Sequence, residues 1–196
     1  MVHLLDIENY AKENNIPIMQ KDGIEFLTNY IKEHDVKKIL EIGCAIGYSA
    51  IRMCLVHDDI SVVTVERDES RYKEAIKNIK EMNLTNTINV FIGNAVEILP
   101  TFKEKYDIIF IDAAKGKYPI FLKEAIRLSH KNSIILADNI LYKGYVMSDY
   151  NKHKQRTAVT HLREYIKEAT ENEKLETEIL EVGDGLAISK VKEAIQ

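Results

Sequence analysis

Residues 37–66 constrain the fold of this chain more than any other stretch. They contain an apolar strand, a turn with Gly43 and Gly47, a helix predicted over 46–56, and a second apolar strand predicted over 60–66. This succession is typical of the first half of a nucleotide-binding α/β unit. Because both strands are apolar along their whole length, the pattern predicts a parallel sheet that is covered on both faces.

The spacing of the glycines indicates the kind of ligand that the turn binds. The pattern is Glu41-x-Gly43-x-x-x-Gly47, and Ala45 stands where a dinucleotide fingerprint would have its second glycine. A carboxylate beside the turn disfavours a pyrophosphate and favours an ammonium or sulfonium group. Glu66 follows the turn by roughly 20 residues, where an acid accepts hydrogen bonds from ribose hydroxyls. The alternatives are a tight turn without a ligand and, less favoured because a glycine is missing, an NAD site.

Length and composition predict one globular domain. The chain has 196 residues, of which 45% are hydrophobic and 30% charged, and this suits a single α/β domain. We expect that domain to span 1–196, with N-terminal helices over 1–34 and a core over 35–190. The formal net charge is −4, so nucleic acid would have to bind at a local basic patch.

The sequence also bears on the compartment. Cys44 and Cys54 are the only cysteines, and they are typical of reduced intracellular thiols. No apolar run reaches the ~18 residues of a membrane span, and the first residues do not resemble a secretory signal. We therefore expect a cytoplasmic protein with no membrane partner.

The rest of the chain repeats a βα rhythm and ends in a hairpin. Further strands are predicted over 87–92, 106–111, 132–138, 175–181 and 186–190, and further helices over 3–14, 21–34, 68–82, 118–129 and 152–170, with a short helix ending near 102. The Gly183-Asp184-Gly185 turn is a hairpin signal, so the last strand should be antiparallel. The predicted fold is an α/β sheet of seven mostly parallel strands with helices on both faces.

Polar residues follow several of the predicted strands, where ligands bind in such sheets. Asp112, Asp138 and Asn139 supply only oxygen ligands, which suit Mg²⁺, Mn²⁺ or Ca²⁺ and do not suit zinc. Lys115 follows Asp112 by three residues, and a desolvated lysine near a cation is a candidate general base. The alternatives are that the acids cap helices and that Lys115 is an ordinary solvated lysine.

Several motifs together resemble a known family. The segments EIGCAIGYSA, VERD, IFIDAAKGKY, ADNIL and GDGLAIS resemble the cation-dependent O-methyltransferases, which include the catechol and caffeoyl-CoA enzymes. Within that family, NIPIMQKDGIEFL, GYSAIRM, FIDAAKG and VGDGLAISK are most similar to the bacterial tRNA 5-hydroxyuridine methyltransferases. The resemblance extends from about residue 14 to 190. It implies a Rossmann-like class I methyltransferase fold, S-adenosylmethionine (SAM) as cofactor, a divalent cation and a homodimer.

The resemblance also implies roles for individual residues. The metal would be bound by Asp112, Asp138 and Asn139, and catalysis would fall to Lys115 and Asp112. Glu66 would hold the ribose, and Met19 would close over the cofactor. The full set expected to bind SAM is Met19, Glu41, Gly43, Ser49, Glu66, Asn94, Ala95 and Asp112.

The substrate prediction depends on the segment between 143 and 163. Its basic residues are Lys143, Lys152, Lys154, Arg156 and Arg163, with His153 and His161, and Tyr142, Tyr145 and Tyr150 lie nearby. Basic and aromatic residues together can contact phosphates and stack on bases. We therefore expect methylation of 5-hydroxyuridine to 5-methoxyuridine at the wobble position of the tRNA anticodon. The alternatives are a small-molecule catechol-type diol, which presents the same pair of vicinal oxygens, and a binding module without activity.

Overall fold

The computed structural model describes residues 3–149 and 155–193. The chain divides into two compact units, one ending at Ile98 and the other beginning at Leu99. The sequence predicts a single domain over 1–196, and the division into two compact units does not test that prediction.

The first unit contains five helices and three strands within its described residues. They are α1 (Leu4–Glu13), α2 (Lys21–Glu33), β1 (Lys38–Ile42), α3 (Tyr48–Cys54), β2 (Ser61–Glu66), α4 (Glu69–Glu81), β3 (Ile88–Ile92) and α5 (Ala95–Ile98). β1 pairs with β2, and β2 pairs with β3, both in parallel. Ile39, Leu40 and Ile42 are inaccessible to solvent, as expected for a strand that is covered on both faces.

The second unit contains the remaining four strands and two helices within its described residues. They are β4 (Tyr106–Ile111), α6 (Tyr118–Arg127), β5 (Ser129–Asp138), α7 (Arg156–Glu171), β6 (Leu175–Leu180) and β7 (Leu186–Val191), with 3-10 turns at Leu99–Thr101 and Lys115–Lys117. β4 and β5 are parallel, whereas β7 is antiparallel to both β5 and β6. The predicted helix start at 152–154 lies outside the described residues.

The predicted fold class is confirmed. The strands are ordered β3-β2-β1-β4-β5-β7-β6 in a seven-stranded sheet that is parallel except for β7. Over the ranges 3–149 and 155–193, no helix is both long and apolar enough to cross a membrane.

Two of the element boundaries that differ from the prediction have local reasons. α3 begins at Tyr48 rather than at 46 because Gly47 adopts a left-handed φ of 84° at its N-terminal cap. β5 begins at Ser129 rather than at 132. The hydroxyl of Ser129 donates to the carbonyl of Ala125, and that of Ser133 to the carbonyl of Tyr106. These contacts allow polar residues to extend a buried strand.

Candidate active site

The glycine turn after β1 is held tightly against β2. Three of its residues have positive φ angles, with values of 107° at Gly43, 46° at Ala45 and 84° at Gly47. The amide of Gly43 donates to the carbonyl of Val65 over 3.1 Å, and the amide of Ala45 donates to Oε2 of Glu66 over 2.8 Å. A left-handed conformation is costly for alanine, so the contact with Glu66 helps to maintain the turn.

Glu66 is a nearly buried carboxylate at the end of β2. Its Oε1 accepts hydrogen bonds from the amides of Arg67 at 2.9 Å and Asp68 at 2.8 Å, and 6% of the residue is exposed. Each carboxylate oxygen has two lone pairs, so after binding the Ala45 amide and these two amides Glu66 keeps one acceptor position, on Oε2, for a ribose hydroxyl. The structure therefore places Glu66 where the sequence predicted it, with its orientation fixed by main-chain donors.

Glu41 and Ser49 form a buried pair, joined by a residue that sequence reasoning missed. The hydroxyl of Ser49 donates to Oε1 of Glu41, and the hydroxyl of Thr64 donates to Oε2 over 2.6 Å. Glu41 and Thr64 are inaccessible to solvent. The carboxylate therefore links β1, β2 and the start of α3, and its contact with a methyl donor stays a prediction. A threonine within the apolar strand SVVTVE was the available signal.

The remaining predicted SAM residues of the first unit lie in three local settings. Asn94 directly precedes α5: its Oδ1 accepts from the amide of Val96, and its Nδ2 donates to Glu97. Ala95 is the first residue of α5. Met19 is buried and lies against Gly23, where an added Cβ would be 2.9 Å from Cε of Met19. Their contacts with the cofactor stay predictions.

In the second unit, the predicted catalytic and metal-binding residues form a cluster, which we call the acid–lysine cluster: Asp112, Lys115, Asp138 and Asn139. Asp112 follows β4 and Asp138 ends β5, and these strands pair with Ile111 opposite Ala137. Nζ of Lys115 is 3.3 Å from Oδ1 of Asp112 and 2.9 Å from Oδ1 of Asn139. Only 16% of the lysine side chain is exposed. Oxygens from two strand ends thus converge on one cationic group.

Tyr118 contacts this cluster and was not identified from the sequence. Nζ of Lys115 donates to the Tyr118 hydroxyl over 3.0 Å, and that hydroxyl donates to the carbonyl of Asp138 over 2.8 Å. Burial first, and then the charges of Asp112 and Asp138, raise the pKa of Tyr118 well above its usual value. Tyr118 is therefore a neutral phenol. Its position at the start of α6, three residues after Lys115, was the only signal.

Ionisation of Asp138 is unfavourable in this setting. Burial, followed by the charge of Asp112, raises its pKa from 3.8 to about 7, with a further contribution from Asp184. The amide of Asn139, which donates to Oδ1 of Asp138 over 2.7 Å, and the charge of Lys115 lower that pKa. A bound divalent cation would favour the ionised form much more strongly.

The cluster fits a hard divalent cation. Its donors are two carboxylates and one amide oxygen, which suit Mg²⁺, Mn²⁺ or Ca²⁺. Asn139 has a φ of 54°, a conformation that asparagine tolerates better than most residues. Within 3–149 and 155–193, no three His, Cys, Asp or Glu side chains are grouped to hold a metal ion. The predicted site therefore depends on the amide oxygen of Asn139 as third protein ligand.

The basic segment is only partly described. Lys152, His153 and Lys154 lie outside the described residues, as does Tyr150. Arg163 donates to the main-chain carbonyls of Tyr145, Val146 and Ser148, so its guanidinium holds the loop after β5. Lys143 and Arg156 are exposed.

Comparisons with known proteins point to one family. A sequence model described as O-methyltransferase matches residues 2–192. A catechol O-methyltransferase from Niastella koreensis is 34% identical over 166 residues, covering 80% of this chain and 74% of that protein.

Solved structures agree with this result. A crystal structure of a Staphylococcus aureus protein, described provisionally as a caffeoyl-CoA O-methyltransferase, is 31% identical, with a TM-score of 0.91 over 97% of this chain and 93% of that one. An O-methyltransferase from Bacillus cereus, solved in complex with S-adenosylhomocysteine, is 26% identical, with a TM-score of 0.87 over 96% of this chain and 90% of that one.

Proposed function

Because the chain belongs to the O-methyltransferase family, we propose that it transfers the methyl group of SAM to one hydroxyl of a small-molecule vicinal diol of the catechol type. The observation that carries this proposal is the convergence of Asp112 and Asn139 oxygens on Nζ of Lys115, whose side chain is largely buried. The family assignment decides against a binding module without activity and against an NAD-dependent enzyme.

SAM as the donor is supported by the first unit and by a relative. Glu66 offers its remaining acceptor position, on Oε2, to a ribose hydroxyl beside a tight glycine turn. The Bacillus cereus relative binds S-adenosylhomocysteine, the product that SAM leaves after methyl transfer. The donor site would then involve Gly43 and Glu66, with Asn94 and Ala95 beside the adenine.

The acid–lysine cluster supports a diol as the acceptor. Asp112, Asp138 and Asn139 would hold a divalent cation, and this cation would acidify a hydroxyl that binds to it. Lys115 is the basic side chain of the cluster; after its ammonium group releases a proton to solvent, the neutral Nζ would take the hydroxyl proton. Tyr118 and Asn139 orient that nitrogen through hydrogen bonds of 3.0 and 2.9 Å. A vicinal diol provides two adjacent oxygens. One could bind the cation while the other is thereby held in place.

The test is a methylation assay with defined acceptors. Purified protein, SAM and Mg²⁺ should convert a free catechol to its monomethyl ether, as measured by mass spectrometry, whereas the corresponding monophenol should react far more slowly. Chelation by EDTA should abolish the reaction, and added Mn²⁺ or Mg²⁺ should restore it. Absence of methylation on every vicinal diol offered, with metal and SAM present, would overturn the proposal.

A tRNA substrate is the second candidate, because 5-hydroxyuridine presents its hydroxyl beside a carbonyl in a similar geometry. The exposed side chains of Lys143 and Arg156 favour it. Replacing both by alanine should weaken methylation of hydroxyuridine-containing tRNA and reduce its salt dependence, while leaving methylation of catechol unchanged. If that tRNA is not methylated by the wild-type protein, this candidate fails.

A homodimer and a cytoplasmic location are part of the same proposal. Light scattering coupled to size exclusion would measure the mass in solution, and cell fractionation would locate the protein. A monomeric mass or membrane-bound material would contradict the respective expectation.

A further inference from the structure

The chain that leaves the acid–lysine cluster is bound to the turn between β6 and β7. The amide of Ile140 donates to the carbonyl of Gly185 and the amide of Leu141 to the carbonyl of Asp184, each over 3.0 Å. The amide of Lys143 donates to Oδ1 of Asp184. Three main-chain donors directly after Asn139 are therefore held by two residues of one turn.

This segment needs such support because its conformation is unfavourable. Asn139, Tyr142 and Lys143 have φ values of 54°, 46° and 59°, which place residues with a Cβ in the left-handed region. Such residues persist only where their surroundings over-determine them. Lys143, whose amide donates to Asp184, is itself one of the residues with a left-handed φ.

Packing adds a second constraint at the same turn. Gly185 has a φ of 89°, and an added Cβ would lie 2.3 Å from Cγ of Leu141. Leu141 therefore occupies the space that a larger residue at 185 would need. Side-chain packing and main-chain hydrogen bonds together fix the path of the segment two residues beyond Asn139.

We propose that Asp184 is a positioning residue, which fixes residues 139–143 and thereby holds the Asn139 amide oxygen in the acid–lysine cluster. The proposal rests on the proposed function for its catalytic consequence. Asp184 acts as an acceptor for Lys143 rather than as a metal ligand: across the part of the chain that the structure describes, Asp112, Asp138 and Asp184 do not form a metal-holding group. The GDG motif thus has a role distinct from making the hairpin.

The first test measures the segment directly in the purified full-length protein. Asp184→Ala removes the acceptor, whereas Asp184→Asn keeps an oxygen acceptor and removes the charge. Asp184→Ala should increase amide hydrogen exchange of residues 140–146 by about tenfold or more, and Asp184→Asn by less than about threefold. The matched control is Glu181→Ala, which removes an exposed acid near the same turn and should leave exchange unchanged.

The second test measures the cluster. Asp184→Ala should weaken Mn²⁺ binding about tenfold, as measured by electron paramagnetic resonance of free Mn²⁺. It should also lower kcat for catechol methylation about tenfold, with the KM for SAM unchanged. Asp184→Asn should restore both. If the wild-type protein methylates no diol, the proposed function fails, and the exchange and Mn²⁺ measurements still decide the role of Asp184.

Two results would overturn the positioning role. One is that Asp184→Ala exchanges its amide hydrogens at the same rate as the wild type and binds Mn²⁺ with the same affinity. The other is equal damage in Asp184→Asn, because that result would assign the effect to charge. If Asp184→Ala does not fold, Asp184→Glu replaces it, since it keeps the charge and displaces the acceptor; wild-type exchange in Asp184→Glu would equally contradict the proposal.

Discussion

The hydroxyl of Tyr118 donates a hydrogen bond of 2.8 Å to the main-chain carbonyl of Asp138, and the same hydroxyl accepts one from Lys115. Tyr118 therefore connects the proposed base to the strand end that carries a proposed metal ligand. Because Tyr118 is fully buried, water cannot replace its hydroxyl without rearrangement.

Removing this hydroxyl should damage both stability and activity. Tyr118→Phe should lower the free energy of unfolding by about 1–3 kcal/mol, because the carbonyl of Asp138 loses the hydrogen bond from the Tyr118 hydroxyl. It should also lower kcat for methyl transfer by about tenfold, because Lys115 loses one of its acceptors. Chemical denaturation and steady-state kinetics measure the two effects.

Tyr165→Phe is the matched control for that prediction. Tyr165 packs edge-on against Tyr118 with centroids 5.6 Å apart, and its buried hydroxyl has no hydrogen-bond partner among the described residues. Removing it should leave stability unchanged or slightly increased. Equal losses in both variants would contradict the assignment of the effect to the hydrogen bonds of the Tyr118 hydroxyl.

Substitutions of the two lysines of the 3-10 turn should differ sharply in their effect on kcat. Lys115→Met removes the nitrogen that contacts Asp112, Tyr118 and Asn139, and we expect kcat to fall by a factor on the order of 10² or more. Lys117→Met changes an exposed lysine two residues away and should retain near-wild-type rates. Comparable rates in the two variants would contradict a catalytic role for Lys115.

The metal-free protein should lose stability as the pH rises. In the folded chain the pKa of Asp138 is raised to about 7, whereas in the unfolded chain it is near 3.9. The folded state therefore binds the proton more tightly, so this contribution is complete below about pH 4 and is lost as pH rises through 7. In EDTA at pH 8, Asp138→Asn should be more stable than the wild type by up to about 4 kcal/mol.

The control for that prediction is Asp149→Asn, which changes an exposed acid of the loop after β5. It should keep the wild-type dependence of unfolding free energy on pH. If the unfolding free energy of Asp138→Asn depended on pH between 4 and 8 as that of the wild type does, the pKa of Asp138 would be ordinary.

Divalent cations should reverse this loss of stability. A cation binds the ionised cluster, so Mg²⁺ should raise the melting temperature of the wild type more at pH 8 than at pH 5.5. Asp138→Asn should show little of this increase at either pH. Equal stabilisation of both proteins by Mg²⁺, measured by differential scanning fluorimetry, would place the cation elsewhere.

Thr64→Val tests the buried carboxylate of the first unit. The change keeps the shape of the side chain and removes a donor to Glu41, so the free energy of unfolding should fall by about 2–3 kcal/mol. Thr28→Val is the comparison, because the Thr28 hydroxyl bonds to carbonyls of its own helix and its loss should cost under about 1 kcal/mol. Similar costs at both positions would mean that the contact between Thr64 and Glu41 contributes little.

Residue patterns were sufficient for the elements and for much of the site. Continuous apolar runs identified β1, β2, β4 and β5, and the GDG turn identified the antiparallel strand. Since parallel strands present their carboxyl ends at one edge, Asp112 and Asp138 were expected to be near each other, and both accordingly interact with Lys115. These inferences succeed because periodicity and burial are local properties of the chain.

What the sequence determined by itself was the order of elements and the residue types at the strand ends. Only the tertiary structure decided which polar groups pair: Glu41 with Thr64, Tyr118 with Asp138, and Lys143 with Asp184 are 23, 20 and 41 residues apart. A hydrogen bond depends on distances of a few tenths of an ångström between groups that strand register and packing bring together. Such geometry has no periodic trace in the sequence, and for this reason Thr64, Tyr118 and Asp184 emerged only from the fold.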